Sequence, residues 1–278
     1  MKKLFTIIIL IFSLLFVNVS VFAEKYYSEN AVCVENRAKG NTTAFYIENL
    51  LFSPLTIKIS FDKLENMKAD VELPYTVVVL GKSKQKAFSI NPINLNKRYN
   101  YYFRYNWHLG SKDAVHDDTV VYMLPYSSKK KFQIIQGYNS TFSHYGQEQY
   151  SLDWDMPEGT PLLASRGGIV VMTEGKFNEH GTDKDYYTNR GNYIRILHDD
   201  GTIGEYYHFK YKGVKVKIGE KVKAGQLIGY SGNTGYSTCP HLHFDVFKAK
   251  DAYKKETIPV KFKTKSGKII TLKEGSVY

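Results

Sequence analysis

Cysteine is nearly absent: two residues in 278, Cys33 and Cys239, far apart in sequence. At most one disulfide can form, and export would permit that bridge without requiring it. Apart from the amino terminus, the chain lacks any apolar run long enough to span a membrane. No long amphipathic helical pattern, internal repeat or low-complexity tract occurs either. Concentrated basic charge is also missing. The one tight run, Lys129-Lys130-Lys131, falls in an expected linker, so there is no footprint of a nucleic-acid-binding face.

What is present begins with MKKLFTIIILIFSLLFVNVSVFA: two lysines, an apolar run from Leu4 to Val17, then Val21-Phe22-Ala23. The apolar core is shorter than the ~20 residues of a spanning helix, and the pattern reads as a signal peptide over residues 1–23, cleaved after Ala23. The expectation is export across the cytoplasmic membrane, to a periplasmic, cell-wall-associated or secreted location, with no stable membrane insertion after cleavage. Loss of Lys2 and Lys3 lowers the formal charge from +11 to +9. A basic exported protein is drawn to anionic polymers, which charge alone does not tell apart.

The length allows two modest domains, and both read as β. Residues 24–126 hold short alternating segments divided by turn residues: Leu55 to Phe61, Val77 to Leu80, and Tyr99, Tyr101, Phe103 and Tyr105 alternating with more polar neighbours. A β-sandwich-like accessory domain is the economical fold, and the aromatic strip is either a binding strip or one face of its core. Residues 127–132 form a Ser/Lys-rich linker. From 133 to 278 strand character returns at Ile169 to Thr173, Tyr193 to Leu197, Glu205 to His208, Val214 to Val216, Leu227 to Tyr230 and His241 to Phe247, with a polar insertion between Thr173 and Gly191 that suits a groove wall. The fold class is all-β.

The chemistry concentrates at Pro240-His241-Leu242-His243-Phe244. Strand alternation puts His241, His243 and Asp245 on one face and Leu242, Phe244 and Val246 on the other. A His-x-His pair alone is ordinarily a solvated strand face. Here three further segments carry metal-type residues: His144, Asp153 with Asp155 close by, and His208. Imidazole and carboxylate together suit Zn²⁺, and a hydrolytic site uses three protein ligands with a fourth position for water. Gly232-Asn233-Thr234-Gly235 has no helix after it and reads as a turn, not a phosphate loop. His180 and His198 lie in the insertion and before a turn, and are not expected to bind metal.

Three strings carry a resemblance: HYGQEQYSLDWDMPEGTPLLASRGGIVV, NYIRILHDDGTIGEYYHF and VKVKIGEKVKAGQLIGYSGNTGYSTCPHLHFDV. Over about Gln133 to Val246 the chain resembles the lysostaphin-type zinc metallopeptidases, the LytM-like murein hydrolases. The resemblance implies a lysostaphin-type β-sheet peptidase domain, one Zn²⁺ per chain, His144, Asp153 and His243 as its ligands, and His208 and His241 as catalytic histidines. It implies a secreted endopeptidase whose partners are peptide stems or cross-bridges of bacterial peptidoglycan. The alternative it allows is a catalytically inactive LytM-like regulator that activates another wall hydrolase. Two departures stand out: eight residues separate His144 from Asp153 where many members have three, leaving Asp155 as a rival, and Cys239 stands where a small residue is usual.

Overall fold

The structure is a computed structural model describing residues 22–278. Residues 1–21 of the expected signal peptide, its apolar run from Leu4 to Val17 included, lie outside the described residues. Contacts divide the chain into two compact units, one of residues up to Lys112 with Ala249–Lys254, the other of Asp113–Lys248 with Lys255–Tyr278.

The first unit contains β1 (Phe22–Ser28), β2 (Val32–Lys39), β3 (Thr42–Asn49), β4 (Leu55–Glu65), β5 (Met67–Ala69), β6 (Tyr75–Val79), β7 (Lys84–Pro92) and β8 (Asn100–Leu109). They form a five-stranded sheet, β1-β2-β3-β7-β5, and a three-stranded sheet, β6-β4-β8. Alternation explains why the sheets close on one another. On β3 Phe45 and Ile47 point inward, and on β8 Tyr101, Phe103 and Tyr105 do. Phe45 stacks on Phe88 of its own sheet at 4.8 Å and meets Phe103 of the other edge-on at 5.1 Å. Burying each such ring contributes roughly 1.5–3 kcal/mol. The alternating aromatics of β8 are therefore core on one face, not an exposed strip.

The second unit continues with β9 (Val121–Met123), β10 (Ile134–Gln136), β11 (Leu152–Asp155), β12 (Pro161–Leu163), β13 (Gly168–Glu174), β14 (His180–Gly181), a one-turn helix α1 (Lys184–Tyr187), β15 (Tyr193–Leu197) and β16 (Ile203–Tyr207). Then follow β17 (Phe209–Val214), β18 (Lys221–Val222), β19 (Leu227–Ser231), β20 (Gly235–Tyr236), β21 (His241–Ala249), β22 (Lys255–Thr257), β23 (Lys261–Lys263) and β24 (Ile269–Ile270). The main sheet runs β10-β11-β21-β16-β15-β13-β18, with β22 also on β21.

One face of that sheet is the core. Leu152 and Trp154 from β11, Leu242, Phe244 and Val246 from β21, Tyr206 from β16, and Ile194 and Ile196 from β15 are buried together. The residues between them, including Asp153, His243, Asp245, Glu205 and Arg195, take the opposite face by the period of two. Residues 113–126, expected with the accessory domain, group with this unit: Tyr122 is fully buried in its core, and β9 pairs with β23 in parallel. The expected strand at Val214 to Val216 ends instead at Val214. Among the described residues no helix is long and apolar enough to cross a membrane.

Candidate metal centre

Register brings the candidates together. β11 and β21 are antiparallel neighbours with Asp153 opposite His243, and β16 flanks β21 on its other side with Tyr207 opposite His243. His144 enters from the loop before the 3₁₀ turn Gly146–Glu148. His144, Asp153 and His243 each offer one donor atom, all within 4.8 Å of one another.

The donors are oriented from behind. His144 Nδ1 donates to the Gly137 carbonyl at 3.0 Å, which leaves Nε2 as the lone-pair nitrogen. That Nε2 is buried, has no hydrogen-bond partner, and lies 3.3 Å from Asp153 Oδ2. Gln136 Nε2 donates to the same carboxylate oxygen at 2.8 Å, and Ser143 Oγ steadies Gln136 at 3.0 Å. His243 turns Nδ1 toward Asp153 Oδ1 at 2.8 Å. Burial alone would raise the Asp153 carboxyl, but the adjacent His144 and His243 hold it well below the usual carboxylate range. For His243 burial pulls downward, and Asp153 outweighs it to raise the imidazole well above its ordinary value. A buried nitrogen without a partner beside an ionised carboxylate and a second imidazole is a donor set that zinc fits.

His208 and His241 stand next to the trio. Their rings are 4.3 Å apart, and His241 Nε2 lies 4.0 Å from Asp153 Oδ2. His208 follows β16 with φ of 68°, a left-handed conformation that costs a non-glycine residue free energy and is held by its surroundings. Its Nδ1 donates to the Thr234 carbonyl at 2.7 Å, and His241 Nδ1 donates to the Cys239 carbonyl at 2.8 Å. The Nδ1 proton of each ring is thus committed, which leaves Nε2 as the nitrogen turned to the site. Burial, reinforced by His241, presses the His208 imidazole well below its ordinary value, so it remains neutral.

The turn that supplies these carbonyls depends on glycine. A Cβ on Gly232 would lie 2.3 Å from the Lys210 backbone nitrogen, where Gly232 bridges to His241. Gly235 has φ of 87°, and a Cβ there would lie 2.6 Å from Gly191 Cα. Its strand, β20, pairs with β14 of the polar insertion.

Asp155 is exposed and does not belong to the trio of His144, Asp153 and His243. Cys239 is exposed and Cys33 buried, and both thiols are free. His198 is buried with Nδ1 on the Gly167 carbonyl. Sequence reasoning missed Gln136, Glu148, Thr234, Ser237 and Lys255 around the histidines. Only Ser237 and Thr234 carried a signal, lying in the glycine turn just before the histidine strand.

Residues 147–255 match the model of Peptidase family M23. Over 99 residues the chain is 41% identical to a glycyl-glycine endopeptidase, ALE-1, of Staphylococcus capitis, covering 36% of this chain and 24% of that protein. It is 40% identical over 94 residues to the peptidoglycan DD-endopeptidase ShyA of Vibrio cholerae, covering 34% and 19%. Lysostaphin from Staphylococcus simulans aligns in structure at 33% identity over 45% of this chain and 47% of that one, with a TM-score of 0.34. The alignments span a quarter or less of these two curated relatives' lengths. On its sequence matches, this chain carries a peptidase M23 domain homologous to the lysostaphin and ShyA peptidases.

Proposed function

We propose that this chain is an exported, zinc-dependent endopeptidase that hydrolyses peptide cross-links of bacterial peptidoglycan. The observation that carries the reading is the buried, unpartnered Nε2 of His144 facing Asp153 and His243, with two further imidazoles beside them. His144 through Nε2, Asp153 through its carboxylate and His243 through Nδ1 would hold one zinc ion. Zinc bound there would supply Lewis acidity, lowering the pKa of a water toward ~7 and polarising a carbonyl.

The chain's own groups do the remainder. Asp153, held ionised, keeps negative charge at the centre, and Gln136 holds its carboxylate in place. Because the Nδ1 protons of His208 and His241 are committed to backbone carbonyls, each Nε2 is free to accept a proton. A ring that has accepted one becomes a donor to a developing oxyanion or a leaving amine, roles worth roughly 10²-fold or more each. The basic chain suits an anionic wall polymer.

The activities of the two relatives, glycyl-glycine and DD-endopeptidase, mark two bonds to compare. Purified chain is incubated with peptidoglycans of defined cross-link chemistry, and the soluble products are analysed by mass. Cleavage within cross-links that stops on chelation and returns with zinc is expected. A zinc-loaded chain that releases no fragment from any of them would sink the enzyme reading and leave the regulator.

A further inference from the structure

Beside the first trio the described residues hold a second group of metal-type donors. Glu148, His243 and Asp245 each place one donor atom within 4.8 Å of the others. The shared His243 uses its other nitrogen here: Nε2 lies 3.5 Å from Asp245 Oδ2 and 3.8 Å from Glu148 Oε2. Next to this group sits Lys255 Nζ, 2.6 Å from the same Asp245 oxygen, 2.8 Å from the same Glu148 oxygen and 3.1 Å from Glu205 Oε1.

Sheet register creates the need for that cation. Arg195, Glu205 and Asp245 are direct cross-strand partners on β15, β16 and β21. Carboxylates opposite one another repel, and Arg195 pairs with Glu205 Oε2, leaving Oε1 to Lys255. The Asp245 side chain is fully buried and that of Lys255 is 11% exposed, so water does little to screen the charges. Burial would discharge the ammonium, but Asp245, Glu205 and Glu148 together keep it protonated. Asp245 Oδ1 meanwhile is buried without a hydrogen-bond partner, so the carboxylate keeps unused acceptor capacity.

We propose that Lys255 is the resident cation of this second cluster, its ammonium taking the place a divalent ion would otherwise occupy beside Glu148, His243 and Asp245, and so limiting the centre to one metal. An ammonium carries three donors for three carboxylates. To displace it, a metal ion must expel a buried charge from between three carboxylates. The inference rests on the reading of His144, Asp153 and His243 as a zinc site.

The test counts zinc. Metal-free full-length chain is loaded with excess zinc, separated from unbound ion by gel filtration, and its bound zinc measured by atomic emission. Wild type and K255R are expected to retain one ion per chain, K255M two, and E148Q/K255M one. E205Q/K255M removes one buried charge of each sign, keeps the second cluster intact, and carries the two-ion expectation should K255M fail to fold. Wild type that binds no zinc refutes the first site. Wild type with one ion, and one ion still in folded K255M or in E205Q/K255M, refutes the role given to Lys255, as do two ions in E148Q/K255M.

Discussion

At the residue scale, the two histidines of one strand differ in what stands behind them. His241 is held through Nδ1 by the Cys239 carbonyl and the Ser237 hydroxyl at 2.8 and 3.2 Å, whereas His243 points Nδ1 at Asp153. Truncating each should fail differently. His243→Ala is expected to lose zinc, and His241→Ala to keep it with turnover down roughly 10²-fold or more. Metal analysis beside a peptidoglycan digestion assay measures both quantities, and equal metal loss in the two variants would end the division of roles.

At the scale of elements, β14 and β20 join the polar insertion to the turn that orients both catalytic candidates. Gly235 N donates to the Glu179 carbonyl and Ser237 N to that of Gly181, at 2.9 and 3.1 Å. Asn192 locks the same region from within. It is fully buried, its Nδ2 donates to the Phe177 and Phe209 carbonyls, its Oδ1 accepts from Phe177 N, and its backbone N donates to Thr234 Oγ1. Asn192→Ala removes the side-chain partners of the Phe177 amide and carbonyl and one of two donors to the Phe209 carbonyl. A loss of about 3 kcal/mol is expected, read as a lower thermal midpoint, and an unchanged midpoint would mean the lock is not needed. The insertion, expected only as a groove wall, thus also braces the histidines.

For the whole molecule, stability should depend on acid through a histidine remote from any proposed chemistry. Burial pushes the His198 imidazole down to about 4 from 6.5. The unfolded chain therefore takes up a proton between those values that the folded chain refuses. The contribution is complete above pH 6.5 and is lost as pH falls toward and through 4, amounting to about 3 kcal/mol at most. Denaturation midpoints across that window should fall for wild type and flatten in His198→Gln. Parallel curves for the two proteins would refute the assignment.

The sequence alone determined the all-β class and the partition of β21 into an apolar and a chemical face, because both follow from the period of two, which is local. It also supplied the five residues that meet at the centre, through motif strings and not through spacing. Tertiary structure decided what no local pattern encodes. Asp153 lies on one strand, His243 on the next and His144 in a loop, and only antiparallel register sets them within reach of a single ion. Residues 113–126 joined the second unit because Tyr122 found its burial there. Lys255 is one of many lysines in sequence and becomes a buried cation only once β16, β21 and the Gly146–Glu148 turn bring three carboxylates around it. Charges acquire meaning from neighbours distant in the chain, and low dielectric makes that meaning large, so such sites are settled by packing and not by pattern.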